Sequence, residues 1–423
     1  MAMGLIKQQT RTQLQVARRR RAVGVRVGRN DMGQSVGGWW ANGAKPTPCK
    51  QRFQCNGRGL GFLLDLAQKP KKCCGLPAVG RGLRDKLTRA NGAQARYFHQ
   101  IKKNQDMGAT GYFSHRDFWK HEMGAGHPEC PERLSAIEDR LLVTGLDHAL
   151  ERREPGLAAL ADIELAHGRM HVASLRGLND MLREDMNAGG PTHTSLDPDT
   201  MINSFTWDAA LRAAGAALEA TDAVIAGELE NAFCAVRPPG HHACRDKAMG
   251  FCFFNNVAIA AKYAVERHGL KRVAIVDFDV HHGNGTEDIV AGDERILMVS
   301  FFQHPFYPEG GSQSDAANLV NVPVPAYTKG MDLRELIEMM WMPRLEAHRP
   351  EMIFISAGFD AHREDDMGQM GLVEQDYVWI TQRIKDVAQR YAQGRIVSCL
   401  EGGYNLSALS RSVEAHLRVL ADV

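Results

Sequence analysis

From residue 130 to the C-terminus, short apolar runs alternate with longer stretches of helical period. The apolar runs cover 232–236, 272–278, 295–301, 351–356 and 395–400, and helices are expected to start at Pro131 and to span 207–226, 255–268, 285–291, 332–347, 374–392 and 406–421. Near-continuous apolar runs are the signature of strands buried on both faces. Strands alternating with helices are joined by crossovers, so the chain reads as an α/β domain with a mostly parallel sheet covered by helices on both sides. In such a sheet the loops that follow the strands share one edge, where ligands bind. Here those loops, 237–254, 279–285, 302–321, 357–371 and 401–405, hold nearly all the unusual residues. One site at that edge would collect them.

The run 276–285, Val-Asp-Phe-Asp-Val-His-His-Gly-Asn-Gly, is the most telling of these loops. Side chains on a strand alternate between faces. Asp279 and His281 therefore converge on one point, with Asp277 just behind them. Two carboxylates and an imidazole suit a divalent metal of borderline ligand preference. A single Asp-x-His is most often a surface turn. Five polar groups directly after a buried strand are different, because burying them unpaired would cost several kcal/mol, and a bound metal would satisfy them.

The remaining loops supply partners. Arg237-Pro238-Pro239-Gly240-His241-His242 places two adjacent histidines after a stiff turn, and histidine is the usual acid/base near neutral pH. Asp277 and Asn284 are placed to orient one imidazole each. Asp360 ends a third apolar run, within Ser356-Ala357-Gly358-Phe359-Asp360, and would close a three-ligand site. Three protein ligands with an open position mark a catalytic zinc rather than a structural one. In Leu400-Glu401-Gly402-Gly403-Tyr404 the glycines allow close backbone approach, and the Tyr404 hydroxyl can polarise a carbonyl and stabilise its oxyanion.

The net charge of +1 conceals two unlike segments. Residues 1–106 carry 22 Lys and Arg against four acids, a balance of +18, while residues 107–423 balance at −17. The first segment is Gly- and Arg-rich, lacks Glu and shows no periodicity, a composition that argues against a packed core. Three readings are open for it: a disordered basic tail that meets nucleic acid or an acidic partner, a targeting peptide, or upstream sequence ahead of a true start at Met107. The last is favoured. Its Cys49, Cys55, Cys73 and Cys74 fit no zinc-module spacing. Cys130, Cys234, Cys244, Cys252 and Cys399 are scattered, the pattern of a reduced, cytoplasmic protein, and Cys234 and Cys399 read as small core hydrophobes. No apolar run reaches the ~18 residues needed to span a bilayer. A homo-oligomer is left open.

The five loop motifs, in this order, closely resemble the histone deacetylase family, which includes acetylpolyamine amidohydrolases and acetoin-utilisation proteins. The resemblance is carried by RPPGHHA (237–243), GFCFFNN (250–256), DFDVHHGNGT (277–286), SAGFDAH (356–362) and LEGGYN (400–405), and it spans about residues 110–421. It implies a single arginase-like α/β domain around an eight-stranded parallel sheet. It implies Asp279, His281 and Asp360 as zinc ligands, with iron(II) or cobalt(II) also able to serve. His242 would be the general base and acid, His241 its electrostatic neighbour, and Asp277 the carboxylate behind His241. Asn284 stands where the family often has Asp, a form associated with its class II and bacterial branches, and should leave His242 less basic. Tyr404 matches the carbonyl-polarising tyrosine. Gly250, Phe251, Tyr307, Met367 and Gly403 match substrate-binding positions, Phe251 and Tyr307 as facing tunnel walls. A structural potassium ion is implied near Asp277, Asp279, His281, Ser300 and Phe301.

The same resemblance implies a hydrolase of linear amide bonds that removes acetyl groups from acetyl-lysine on proteins. The alternative substrate is an acetylated polyamine or another small acetylated amine. The polyamine-selective animal branch carries Glu where this chain has Met367, although Asp365 and Asp366, the latter replacing a customary Pro, lie beside it. A catalytically dead acyl-lysine binder and a nucleic-acid-binding protein acting through the basic segment are the rival classes.

Overall fold

The computed structural model describes residues 108–310 and 316–423. The basic segment 1–106, with its four cysteines, lies outside the described residues.

Ten strands follow one another: β1 (Ala109–Phe113), β2 (Leu150–Arg153), β3 (His193–Ser195), β4 (Met201–Asn203), β5 (Leu229–Cys234), β6 (Val273–Asp277), β7 (Ile296–Gln303), β8 (Leu319–Val324), β9 (Met352–Ala357) and β10 (Ile396–Leu400). Eight of them form one sheet in the order β2-β1-β5-β10-β9-β6-β7-β8. Every neighbouring pair in it is parallel. β3 and β4 form a small antiparallel hairpin apart from it. The four central strands β5, β10, β9 and β6 are buried at nearly every position, in keeping with their largely apolar sequences.

The helices are α1 (Glu132–Thr144), α2 (Leu160–Ile163), α3 (Arg169–Asn187), α4 (Thr206–Ile225), α5 (Asn256–Glu266), α6 (Asn284–Val290), α7 (Gly330–Leu336), α8 (Met342–His348), α9 (Glu374–Tyr391) and α10 (Leu406–Leu420). α4 and α5 pack together and onto β5, β10, β6 and β9, whereas α9 and α10 pack together, with α1 against α10. The buried face of α4 is mostly alanine. Two motif asparagines turn out to be helix caps. Asn255 accepts the Ala258 N–H at 2.9 Å and Asn405 accepts the Ala408 N–H at 3.0 Å, so the chain enters α5 and α10 at fixed angles straight from the site loops.

Two expectations need correction. The helix expected over 332–347 is broken: between α7 and α8 the segment Ile337–Trp341 takes a π turn. Pro343 is the reason, since it offers no N–H and its ring would press on the carbonyl of Met339. The strand expected over 232–236 starts earlier, at Leu229, and ends at Cys234, before the Arg237-Pro238-Pro239 turn. Among the described residues no helix is long and apolar enough to cross a membrane.

Candidate active site

β6 and β9 are neighbours in the sheet, so the loops that leave their carboxyl ends start side by side. The first carries Asp279 and His281 and the second Asp360. One ligand atom from each lies within 4.8 Å of the other two, and all three side chains are buried. His281 Nδ1 is 3.0 Å from Asp279 Oδ1 and 3.3 Å from Asp360 Oδ2. The other carboxylate oxygens are held by backbone: Gly402 N–H donates to Asp279 Oδ2 at 2.9 Å and Val280 N–H donates to Asp360 Oδ1 at 2.9 Å. Asp360 Oδ2 is buried without a hydrogen bond of its own. Glycine is obligatory around the trio. A Cβ on Gly358 would stand 2.0 Å from Asp279 Oδ2, and one on Gly402 would stand 1.9 Å from Asp360 Oδ2.

The electrostatics of the trio suit a cation. Burial works against charge on all three groups. Asp279 is nonetheless held far below the usual carboxylate range, first by His241 and then by His281. Burial and the neighbouring Asp279 push Asp360 up to about 6. The two neighbouring carboxylates, Asp279 and Asp360, outweigh burial for His281 and lift it to about 10. The cluster thus draws a proton into its centre, the position a divalent ion would neutralise with greater charge. Two carboxylates and one imidazole fit zinc or another borderline divalent metal.

The histidine pair sits beside the trio. His241 Nδ1 is 3.0 Å from Asp277 Oδ2, and His242 Nδ1 is 2.7 Å from Asn284 Oδ1. The two rings are 4.1 Å apart. Glu401, from the loop after β10, accepts the N–H groups of Gly240 at 2.6 Å and His241 at 3.1 Å, which fixes the turn carrying the pair. Burial lowers both imidazoles, but Asp279 and Asp277 overcome it at His241 and hold that ring well above its ordinary value. His242 has no carboxylate partner. Burial, His241 and His281 together hold it well below its ordinary value, so it is neutral at pH 7.

A cavity of about 230 Å³ opens onto these groups. His242 and His281 line it together with Gly250, Phe251, Phe306, Tyr307, Met367 and Tyr404, and Asp199 and Asp366 are also among its lining residues. Phe251 meets Tyr404 edge to face at 5.9 Å between ring centres, and Tyr307 meets His242 at 5.2 Å. Burial, then Asp360, raises the Tyr404 hydroxyl well above its ordinary value, so it remains a donor.

Of the positions expected to meet substrate, Gly250, Phe251, Tyr307 and Met367 line this cavity, whereas Gly403 does not. Its carbonyl accepts Arg133 Nε–H at 2.7 Å, and a Cβ on it would stand 2.8 Å from Leu409 Cδ1, so it faces the packed interior beneath Tyr404. The positions expected around potassium gather at the carboxyl ends of β6 and β7, where Asp277 pairs in register with Ser300. Asp199 and Phe306 were not anticipated, whereas Asp366, expected beside Met367, lines the cavity with it. Asp199 stands on the β3–β4 hairpin, whose short strands leave little periodic signal, and Phe306 lies in a loop with only its position after β7 to mark it. Asp365, beside Asp366, turns away from the cavity and accepts the N–H groups of Tyr404 and Asn405.

A histone deacetylase domain model matches residues 127–420. An uncharacterised protein of Synechocystis is 38% identical over 307 residues, covering 72% of this chain and 97% of its own. The histone deacetylase-like amidohydrolase of Pseudomonas aeruginosa is 37% identical over 288 residues, covering 66% of this chain and 73% of its own. Among solved structures, the HD domain of HDA15 superposes with a TM-score of 0.67 at 32% identity, over 75% of this chain and 90% of that one.

Proposed function

The chain belongs to the histone deacetylase family, and from that premise we propose that it is a metal-dependent amidohydrolase acting on acetyl-lysine side chains of proteins. The observation that carries this reading is the convergence of His242, His281 and Tyr404 on one narrow, largely apolar cavity.

A divalent ion held by Asp279, His281 and Asp360 would supply Lewis acidity toward the amide carbonyl and acidify a water at its open position. The chain's own groups do the rest. Asn284 Oδ1 accepts from His242 Nδ1–H, which leaves Nε2 with its lone pair for the proton of the attacking water. The same ring then returns a proton to the departing lysine amine, and acetate is released. Tyr404, kept protonated by burial, donates to the carbonyl oxygen as negative charge develops there. Phe251 and Tyr307 flank the methylene stem of the lysine, and the Gly250 carbonyl is available to its amide N–H. A potassium ion among Asp277, Asp279, His281, Ser300 and Phe301, and a cytoplasmic location, belong to the same proposal.

One observation favours a second substrate, an acetylated polyamine. Asp199 and Asp366 both line the cavity and would attract a second ammonium group. Met367, an apolar wall at the position next to Asp366, favours the protein substrate. Acetate release from an acetyl-lysine peptide and from acetylspermidine, measured side by side with zinc present, tests both readings. Failure on both substrates would overturn the proposal.

A further inference from the structure

Gly250 and Phe251 reach the cavity from one loop, residues 244–255, and a single side chain from outside the motifs bridges the two ends of that loop. His167 stands between α2 and α3 and is buried. Asn255 N–H donates to its Nε2 at 2.8 Å. A backbone N–H can only donate, so Nε2 holds the lone pair and Nδ1 the proton. Nδ1 lies 3.0 Å from the Cys244 carbonyl, which can only accept. One neutral imidazole in one tautomer thus joins residue 244 to residue 255. Burial, then His171 beside it, lowers His167 from 6.5 to about 3, so both bonds persist at neutral pH.

Neighbouring groups extend the clamp. Gly168 N–H donates to the Arg245 carbonyl at 2.9 Å, and a Cβ on Gly168 would stand 2.0 Å from Asp246 Oδ1, so this segment presses directly on the loop. His171, one turn along α3, donates from Nε2 to the Phe253 carbonyl at 2.9 Å. Farther out on the loop, Phe251 N–H donates to Thr200 Oγ1 of the β3–β4 hairpin at 3.1 Å. The reacting groups are held from other elements. Asp279, His281 and Asp360 lie on the loops after β6 and β9, Asn284 holds the His242 ring, and Glu401 holds the turn before it.

Resting on the deacetylase reading, we infer that His167 is a positioning residue for substrate binding: by joining both ends of the loop 244–255, it sets where the Gly250 carbonyl and the Phe251 ring stand in the tunnel. Loss of the ring loosens the groups that hold the lysine stem and amide, and it spares the metal ligands, the base and the tyrosine. Stem and amide contacts exist before and during the reaction alike. Their weakening therefore raises KM and leaves kcat nearly constant.

The test compares the zinc-loaded unchanged chain with His167→Leu, His167→Gln and His167→Asn. Leucine fills the space with neither bond, glutamine places an acceptor near the Nε2 position, and asparagine places a donor near the Nδ1 position. On an acetyl-lysine peptide, His167→Leu should raise KM about tenfold, the size of one to two lost hydrogen bonds, with kcat nearly constant. The two polar variants should each recover part of that loss. Amide exchange in His167→Leu should quicken within 244–255 and stay unchanged over 277–286 and 356–362, and zinc affinity should hold. An unchanged KM, a fall in kcat at constant KM, no recovery in either polar variant, or faster exchange across all three segments would overturn the inference. Should His167→Leu fail to fold, the polar variants are read on the same quantities, and failure of all three to fold would place the ring's role in folding and overturn the inference as well. Inactivity of the unchanged chain on every acetyl-lysine peptide would instead overturn the deacetylase reading, while the exchange pattern would still report on the clamp.

Discussion

Asp365 Oδ2 accepts the backbone N–H of Tyr404 at 2.6 Å. It also accepts the next N–H, that of Asn405, at 2.9 Å. The loop after β9, which supplies Asp360 to the trio, thereby also holds the loop after β10, which supplies the tyrosine. Arg133 grips the latter loop from below through the carbonyls of Glu401 and Gly403, with its guanidinium 5.0 Å from the Tyr404 ring centre. Asp365→Ala would leave three N–H groups unpaired, those of Tyr404, Asn405 and Met367, and release the tyrosine, and a displacement of about 1 Å at a reacting group can cost about 10²-fold. kcat on an acetyl-lysine peptide should fall by one to two orders of magnitude with KM nearly constant, and Asp365→Asn, which retains an acceptor, should recover most of the loss. An alanine variant with unchanged kcat would show that Tyr404 does not depend on this anchor.

Tyr404→Phe removes one donor and keeps the ring that packs between Phe251 and Arg133. If the hydroxyl stabilises the oxyanion, turnover should fall by about 10²–10³. Peptide affinity, measured by fluorescence anisotropy, should change far less, since the interaction strengthens mainly in the transition state. A loss below about threefold would reduce Tyr404 to a packing residue.

Asp279, His281 and Asp360 are the one group of three or more suitable metal-ligand residues brought together among the described residues. The unchanged chain should bind one divalent ion and be stabilised by it, by about 2.7 kcal/mol at 100 times the dissociation constant. Asp360→Ala should bind zinc weakly, show little of that thermal shift and lose activity. Full zinc occupancy in the variant by elemental analysis would remove Asp360 from the ligand set.

How much of this was readable in advance follows from burial. β6, β9 and β10 lie inside the sheet, and their largely apolar sequences announce them. β2, Leu-Glu-Arg-Arg, is an edge strand paired only with β1, so its sequence has no need to be apolar and gives no signal. β8, at the other edge, tolerates Pro323 for the same reason. The trio and the histidine pair were readable because each lies within four residues of a strand end or within one stiff turn. Asp365, Thr200 and Arg133 were not. Each acts on a motif residue 39 or more positions away, through a backbone N–H or carbonyl, and such long-range contacts leave no local pattern.

Stability should fall in mild acid because of a histidine remote from the site. His416, on α10, is fully buried against α9 and β10, and burial lowers it from 6.5 to about 3. Its partners fix a neutral ring: Thr381 gives its own proton to the Tyr377 carbonyl and so accepts from Nδ1–H at 2.7 Å, while Ser398 donates to Nε2 at 3.0 Å. Below pH 6.5 the unfolded chain takes up a proton that the folded chain refuses, so the native state loses up to about 1.4 kcal/mol per pH unit from this one group as pH falls toward 3. Urea unfolding of His416→Gln between pH 6.5 and 5 should show a slope shallower by about one proton than the unchanged chain. Identical slopes would mean that the ring already titrates freely in the folded state.

Asn284 decides the last prediction. Its carbonyl oxygen lies 2.7 Å from His242 Nδ1, and its amide nitrogen faces two sulfurs, Cys244 Sγ at 3.3 Å and Met249 Sδ at 3.5 Å, so no charge reaches His242 from this side. His241, by contrast, leans on the Asp277 carboxylate. The two imidazoles are therefore held in opposite directions from their ordinary value, His241 upward and His242 downward. A base must be unprotonated to act, so a low value at His242 keeps the enzyme active into mild acid. Asn284→Asp keeps the geometry and adds a carboxylate at hydrogen-bond distance, which typically raises a partner imidazole by about 1–3 pH units. The acid limb of the kcat/KM profile should move upward by that amount, with activity retained or improved on the alkaline side by the stronger base. The variant cannot mimic this by partial unfolding, because loss of structure lowers the whole profile without displacing its midpoint. An acid limb that stays in place would mean that His242 is not the group whose deprotonation limits turnover.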